Sequence, residues 1–216
     1  MKKITAIRNG ERQRKRVNVS LDGKFAFSLE AEVVVKEGLQ VGQELSANQL
    51  EALSRSDHFH RCLGAAAHYL SYRPRSESEI RERLQQRGFN DDSINAVTAW
   101  LEKQGLVDDV AFAQFWKDNR ESFSPRSRWL TKLEMKRKGV AGDIIDQVVD
   151  TVNDTDNAYR AALSKAHGLS LSDYQDFRRR LGEYLKRRGF SYEVIKQTVE
   201  RIWQERGDWS KDSILP

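Results

Sequence analysis

The sequence predicts a mainly α-helical protein: tandem repeats of three-helix units in an elongated array, preceded by a small N-terminal cap that contains a β-hairpin. Three observations predict it. Gly88-Phe89, Gly139-Val140 and Gly189-Phe190 recur after 51 and 50 residues, with their flanking residues in step. The chain holds only three prolines while 32% of its residues are charged, which suits surface-exposed helices. Strand-like alternation is confined to a stretch before residue 30.

That stretch comes first in the chain. Val17, Val19 and Leu21 oppose Asn18 and Ser20, Asp22-Gly23 intervenes, and Phe25, Phe27 and Leu29 resume the period of two. Asp-Gly supplies the positive φ angles of a two-residue turn whose twist matches its strands, so the segment reads as a hairpin with β only before residue 30. A short helix over 31–37 ended by Gly38, and a turn at Gly42, complete a cap spanning residues 1–54. Ser46 and Gln49 form a capping-box pattern ahead of Leu50 and Leu53, so helix begins near residue 46.

Beyond residue 55 the glycines organise the chain into units 55–107, 108–154 and 155–206, with a tail over 207–216. Leu84, Met135 and Leu185 lie four positions before the glycines, and Arg87, Lys138 and Arg188 directly before them. Asn90, Ala141 and Ser191 take the N-cap position after the turn, and Asp92, Asp143 and Glu193 bring a carboxylate into the next first turn. Ile94, Ile145 and Ile195, then Leu101, Val152 and Ile202, carry the apolar stripe. Each unit is thus a helix ended by a cation and a glycine, an apolar anchor, and a capped amphipathic helix. A further helix stands upstream, marked by Leu63, Ala66, Ala67 and Leu70, by Phe112, Phe115 and Trp116, and by Tyr159, Ala162, Leu163 and Ala166. Stacked units of this kind expose long surfaces suited to long partners.

Composition excludes several function classes. A single cysteine, Cys62, forbids an internal disulfide or a multi-cysteine zinc site and fits a reducing compartment. With no apolar signal region and no run of membrane-spanning length, the chain reads as cytoplasmic and without membrane contact, and it is expected to be a monomer. No phosphate loop, nucleophile constellation or cofactor fingerprint appears, so we expect neither catalysis nor a cofactor. His58, His60 and Cys62 invite a metal, but helical neighbours two apart point about 200° from each other, so at most His58 and Cys62 share a face. Asp108-Asp109 reads as a helix cap.

The net charge is +5, from 37 Lys and Arg against 32 Asp and Glu, so cations matter only where they gather. They gather twice: Arg126, Arg128, Lys132, Lys136, Arg137 and Lys138 with Trp129 among them, and Arg178, Arg179, Arg180, Lys186, Arg187 and Arg188. A cation before a C-terminal glycine serves the helix dipole wherever it occurs, which accounts for Lys138 and Arg188 without a partner. The wider clusters exceed the interspersed pattern of a plain solvated face and predict phosphate or acidic-protein contact. Trp116, on an apolar face, reads as core; Trp129, amid cations, reads as a contact residue.

Tyr69-Leu70-Ser71-Tyr72-Arg73-Pro74-Arg75-Ser76-Glu77, Leu84 to Phe89, Gly105-Leu106-Val107-Asp108-Asp109 with Phe112-Ala113 and Trp116, and Lys138-Gly139-Val140 are the distinctive segments, and through them the sequence resembles the RecX family of bacterial regulatory proteins. The hairpin with Gly38-Leu39 and Gly42-Gln43-Glu44-Leu45 is similar to the cap of longer members. Ser124-Pro125-Arg126-Ser127 departs from the expected lysine-glycine connection and instead echoes Arg73-Pro74-Arg75-Ser76 at the repeat spacing. The resemblance implies three tandem three-helix repeats that bind the RecA–DNA filament and lower RecA strand exchange and ATP hydrolysis, with weak, non-specific affinity for single- and double-stranded DNA. Two other functions stay open on the residues alone: a non-specific DNA-binding repeat protein, and a protein-only scaffold. A reader of duplex sequence is disfavoured, because the helices after the turns begin Asn90-Asp91-Asp92, Ala141-Gly142-Asp143 and Ser191-Tyr192-Glu193, presenting carboxylates to phosphates.

Overall fold

The computed structural model describes residues 1–10 and 16–212, with side chains up to residue 206. Four strands open the chain: β1 (Lys2–Asn9), β2 (Arg16–Leu21), β3 (Lys24–Glu30) and, after helix α1 (Ala31–Lys36), β4 (Glu44–Leu45). They form one antiparallel sheet in the order β3-β2-β1-β4. The β2–β3 hairpin turns at Asp22 (φ 51°) and Gly23 (φ 81°), the paired positive angles that Asp-Gly predicts. The expectation of β structure only before residue 30 is corrected by β4, where Glu44 and Leu45 pair with Lys3 and Lys2. The sequence assigns no element to β1. Its alternation is hidden among Lys and Arg, and its partners are set by tertiary pairing.

Helix α2 (Ala47–Leu70) starts at Ser46 with the capping box complete: the Gln49 amide donates to the Ser46 hydroxyl, and the Gln49 side chain accepts from the Ser46 amide at 2.8 Å. It runs unbroken past residue 54, where the sequence places the end of the cap. Its first half closes the sheet's core of Ile4, Val19, Leu29, Val33 and Leu45 through Leu53. Buried Asp57 holds the junction, accepting the Glu30 amide at 2.8 Å and lying 3.4 Å from the Arg16 guanidinium.

The helices then follow in threes: α2, α3 (Glu77–Gln86) and α4 (Asp91–Lys103); α5 (Asp109–Phe123), α6 (Arg128–Arg137) and α7 (Gly142–Val149); α8 (Asp154–Ala166), α9 (Tyr174–Lys186) and α10 (Tyr192–Asp212). Each triplet has its own core, around Ile80, Leu84 and Ile94, around Phe112, Met135 and Ile145, and around Phe177, Leu181 and Ile202. One turn is used three times. The amides of Phe89, Val140 and Phe190 reach back to the carbonyls of Leu84, Met135 and Leu185, across glycines with φ of 81°, 76° and 84°. This is the glycine C-cap with its apolar clasp, and it makes the sequence period physical. Ala141 begins α7 without a side-chain cap, whereas Asn90 caps α4.

The chain divides into two compact units: Met1–Arg75 with Glu79–Val107, and Ser76–Ser78 with the chain from Asp108 onward. Residues 213–216, in the predicted tail, and the side chain of Trp209 lie outside the described residues; the backbone of the tail's first part continues α10 to Asp212. Among the described residues no helix is long and apolar enough to cross a membrane.

Candidate nucleic-acid interface

Helices α6 and α9 hold most of the thirteen residues that the sequence selects. Ser127 caps α6, accepting the Leu130 amide at 3.1 Å, and Asp173 caps α9, accepting the Gln175 amide at 2.8 Å. Each helix buries a narrow stripe, Thr131 and Met135 in α6 and Phe177, Leu181 and Leu185 in α9, flanked by half-buried positions such as Leu133, Glu134 and Tyr184, and turns most of its cations outward.

The structure sorts these residues by what already holds them. Arg126 faces inward onto Glu134, whose carboxylate also accepts the Trp116 indole at 2.9 Å and the Arg120 guanidinium at 2.7 Å. Burial lowers the Arg126 guanidinium from its ordinary value, Glu134 opposes the shift, and nearby Arg120 and Arg188 reinforce it. The Lys138 ammonium lies 4.3 Å from the Trp116 ring centre, so Trp116 packs against Phe112 on one side and cations on the other. Arg188 donates to the Ser124 hydroxyl at 3.0 Å and the Pro125 carbonyl at 3.3 Å, and stacks on Tyr184. These three cations are built into the fold.

A second group is exposed but locally paired. Arg128 meets the carbonyl and carboxylate of Asp150, Lys132 pairs with Asp146, and Arg179 and Arg180 share Asp176. Hydrogen bonds from Arg179 and Arg180 hold the Asp176 carboxyl below the usual carboxylate range. The third group is open: Lys136, Arg137, Arg178, Lys186 and Arg187 are exposed with no ion pair among the described residues. Trp129 is 63% exposed beside them.

Sequence reasoning missed what joins the second and third repeats. The Ser127 amide donates to the Arg188 carbonyl at 3.1 Å, the Arg128 amide to the Asp154 carboxylate at 2.6 Å, and the Asn157 side chain to the Arg126 carbonyl at 3.2 Å. Gly189 sits so close that a Cβ there would meet Ser127 Oγ at 2.6 Å. Ser76–Ser78 repeats the arrangement within the second unit: the Ser76 hydroxyl donates to the Lys138 carbonyl at 2.6 Å, the Glu77 amide to Asp109 at 2.9 Å, and Gly139 abuts Ser78. The echo between Arg73-Pro74-Arg75-Ser76 and Ser124-Pro125-Arg126-Ser127 was the visible signal of this joint. Asp108 caps α5 while Asp109 reaches the joint, so the acidic pair divides two capping duties. Among the described residues no three His, Cys, Asp or Glu side chains are grouped to hold a metal.

The cap and the three-helix units have counterparts among known proteins. Residues 2–46 match the model of the regulatory protein RecX N-terminal domain, 62–101 the first RecX three-helix domain, and 153–199 the third. The regulatory protein RecX of Clostridium beijerinckii is 30% identical over 208 residues, covering 94% of this chain and 96% of that protein. The chain belongs to the RecX family. RecX of Bacillus licheniformis is 28% identical over 99% of this chain and 81% of its own length. A crystal structure of regulatory protein RecX superposes with a TM-score of 0.67 at 24% identity, covering 93% of this chain and all (100%) of that one. RecX from Lactobacillus salivarius superposes with a TM-score of 0.56 at 22% identity, over 68% of this chain and 97% of that one. Both share the fold. RecX proteins are named as regulators, and the predicted architecture of three-helix domains behind a small β-containing cap is the one this family has.

Proposed function

We propose that this chain regulates a RecA-type recombinase by binding its nucleoprotein filament, and that it lowers strand exchange and ATP hydrolysis without catalysing a reaction. The observation that supports this reading is the asymmetry of α6 and α9. The only carboxylate in α6, Glu134, is turned inward onto Arg120 and Arg126, so Lys136 and Arg137 stand outside uncompensated. On α9, Arg178, Lys186 and Arg187 stand likewise. Open cations of this kind bind phosphate or acidic protein surface with little geometric demand, which gives weak affinity for single- and double-stranded DNA without base reading. The family's name as a regulator supports a role exerted on a partner.

The test is RecA-dependent ATP hydrolysis on single-stranded DNA with the purified chain titrated in. Wild type lowers turnover. The variants Lys136→Glu/Arg137→Glu and Arg178→Glu/Lys186→Glu/Arg187→Glu need at least about tenfold more protein for the same effect, with unchanged melting temperature. No effect of wild type would overturn the function; inhibition by the variants at wild-type concentrations would overturn the contact surface.

A further inference from the structure

The three repeats differ at one pair of positions. Seven residues before each turn glycine and seven after it lie Arg81 and Asn95, Lys132 and Asp146, and Gly182 and Lys196. In the first repeat Arg81 donates to the Asn95 side chain at 2.6 Å; in the second, Lys132 pairs with Asp146. Both pairs latch the second helix of a repeat to the third across their outer faces. The third repeat has no latch, because Gly182 offers no side chain and Lys196 faces it with a cation.

A groove of about 470 Å³ opens there between α9 and α10. Phe190, Ile195 and Val199 supply its apolar lining, and Arg178, Arg179, Lys186 and Lys196 bring cations to it against one carboxylate, Glu183. Nothing in the backbone demands glycine at 182, whose φ is not positive and whose Cβ would stand 3.6 Å from Ile195, an ordinary contact. Glycine inside a helix weakens it relative to alanine. What Gly182 does provide is the opening.

We propose that this groove binds an acidic peptide segment that inserts a large apolar side chain. The volume suits a side chain of that size, the lining offers apolar surface for it, and the cations match flanking carboxylates. Tyr174, Gln175 and Tyr192 also line the groove and could receive a base, so the peptide is preferred on the apolar floor of Phe190, Ile195 and Val199 alone, and a nucleic acid is an outcome that the binding test separates. The groove shares Arg178 and Lys186 with the proposed filament surface, whereas Gly182 and Lys196 belong to the groove alone, so the inference is tested at those two positions.

Binding is measured by fluorescence anisotropy on the full chain with a labelled synthetic decapeptide of Asp and Glu carrying one Phe and one Leu. Wild type binds it saturably, and replacing Phe and Leu by Ser in the peptide weakens binding at least tenfold. Gly182→Leu, which fills the groove without changing charge, and Gly182→Lys/Lys196→Asp, which installs the latch of the second repeat, each weaken it at least tenfold while keeping wild-type helicity and melting temperature. Absence of saturable binding by wild type, or undiminished binding by the filled and latched variants, would overturn the proposal. So would displacement of the peptide by an oligothymidine that itself loses affinity for Gly182→Leu, an outcome that would make the groove a nucleic-acid site. The assay contains no recombinase, so its failure and the failure of the filament reading are separate results.

Discussion

Ser127 and Arg188 are joined backbone to backbone: the Ser127 amide donates to the Arg188 carbonyl at 3.1 Å, while the Arg188 guanidinium donates to the Ser124 hydroxyl and the Pro125 carbonyl, just before Ser127. The turn that ends α9 is therefore also the piece that the loop before α6 grips. A residue chosen from sequence as a surface cation serves instead to attach one repeat to its neighbour.

Glycine-to-alanine changes should rank by the joint and not by the turn. Gly88, Gly139 and Gly189 all have positive φ, so each alanine carries a backbone cost of about 1–2 kcal/mol. At Gly88 the new Cβ meets nothing, whereas at Gly189 it meets Ser127 Oγ at 2.6 Å and Leu130 Cβ at 2.8 Å, adding about 1–3 kcal/mol of overpacking. Thermal melts should place Gly189→Ala below Gly88→Ala; equal melting temperatures would mean that the joint yields without cost.

Glu134→Gln should destabilise the fold by about 2 kcal/mol, because Arg120 and Arg126 lose their shared counter-ion in a site where the carboxylate is only 11% exposed. It removes no open cation. Urea midpoints should therefore fall while inhibition of RecA-dependent ATP hydrolysis, measured well below the unfolding transition, stays at its wild-type concentration dependence.

Asp176→Asn should strengthen phosphate binding, since it frees Arg179 and Arg180 on the exposed side of α9. The log–log salt plot for binding single-stranded DNA should steepen by about one unit. The pH direction follows from the depressed Asp176 carboxyl: its pairing is fully present above the ordinary carboxylate pKa and is lost as pH falls through a lower value. The difference between wild type and variant should accordingly persist down through the ordinary carboxylate range. An unchanged slope would show that these two arginines do not touch phosphate.

Cys62 should be inert in the folded protein. Burial pushes its thiol up to about 11, and its side chain is fully enclosed in the first repeat's core. Little thiolate exists at pH 8, and the reagent has no path to it. A colorimetric thiol assay should read close to zero in native buffer and one equivalent in guanidinium; rapid native labelling would contradict the burial.

Local chemistry was legible in the sequence wherever it was self-contained. Asp22-Gly23, the Ser46/Gln49 box and the three glycine turns each depend on neighbours within a few residues, and each formed as the residues imply. β4 was not legible, because a two-residue pairing with Lys2-Lys3 leaves no period to read, and in β1 the irregularity between Ile4 and Ala6 breaks the alternation. The candidate surface was legible only as a cluster. Proximity in sequence groups Arg126 with Lys136, but Arg126 lies before the N-cap Ser127 and turns toward Glu134, while Lys136 sits in the last turn of α6 and faces water. Charge lists do not carry that distinction; helix phase does, and so does the repeat of Pro-Arg-Ser at positions 74–76 and 125–127.

Helix α2 has a consequence for how the first unit melts. Its 24 residues extend about 36 Å, with Leu53 and Asp57 bound to the sheet and Cys62 and Ala66 bound to the helices that follow. Opening either end frays the same rod, so protection against hydrogen exchange in the β-sheet and in α4 should collapse together under rising denaturant, as one foldon. A shortened chain that begins after the cap would have to start in mid-helix, with Cys62 about two turns from a raw end.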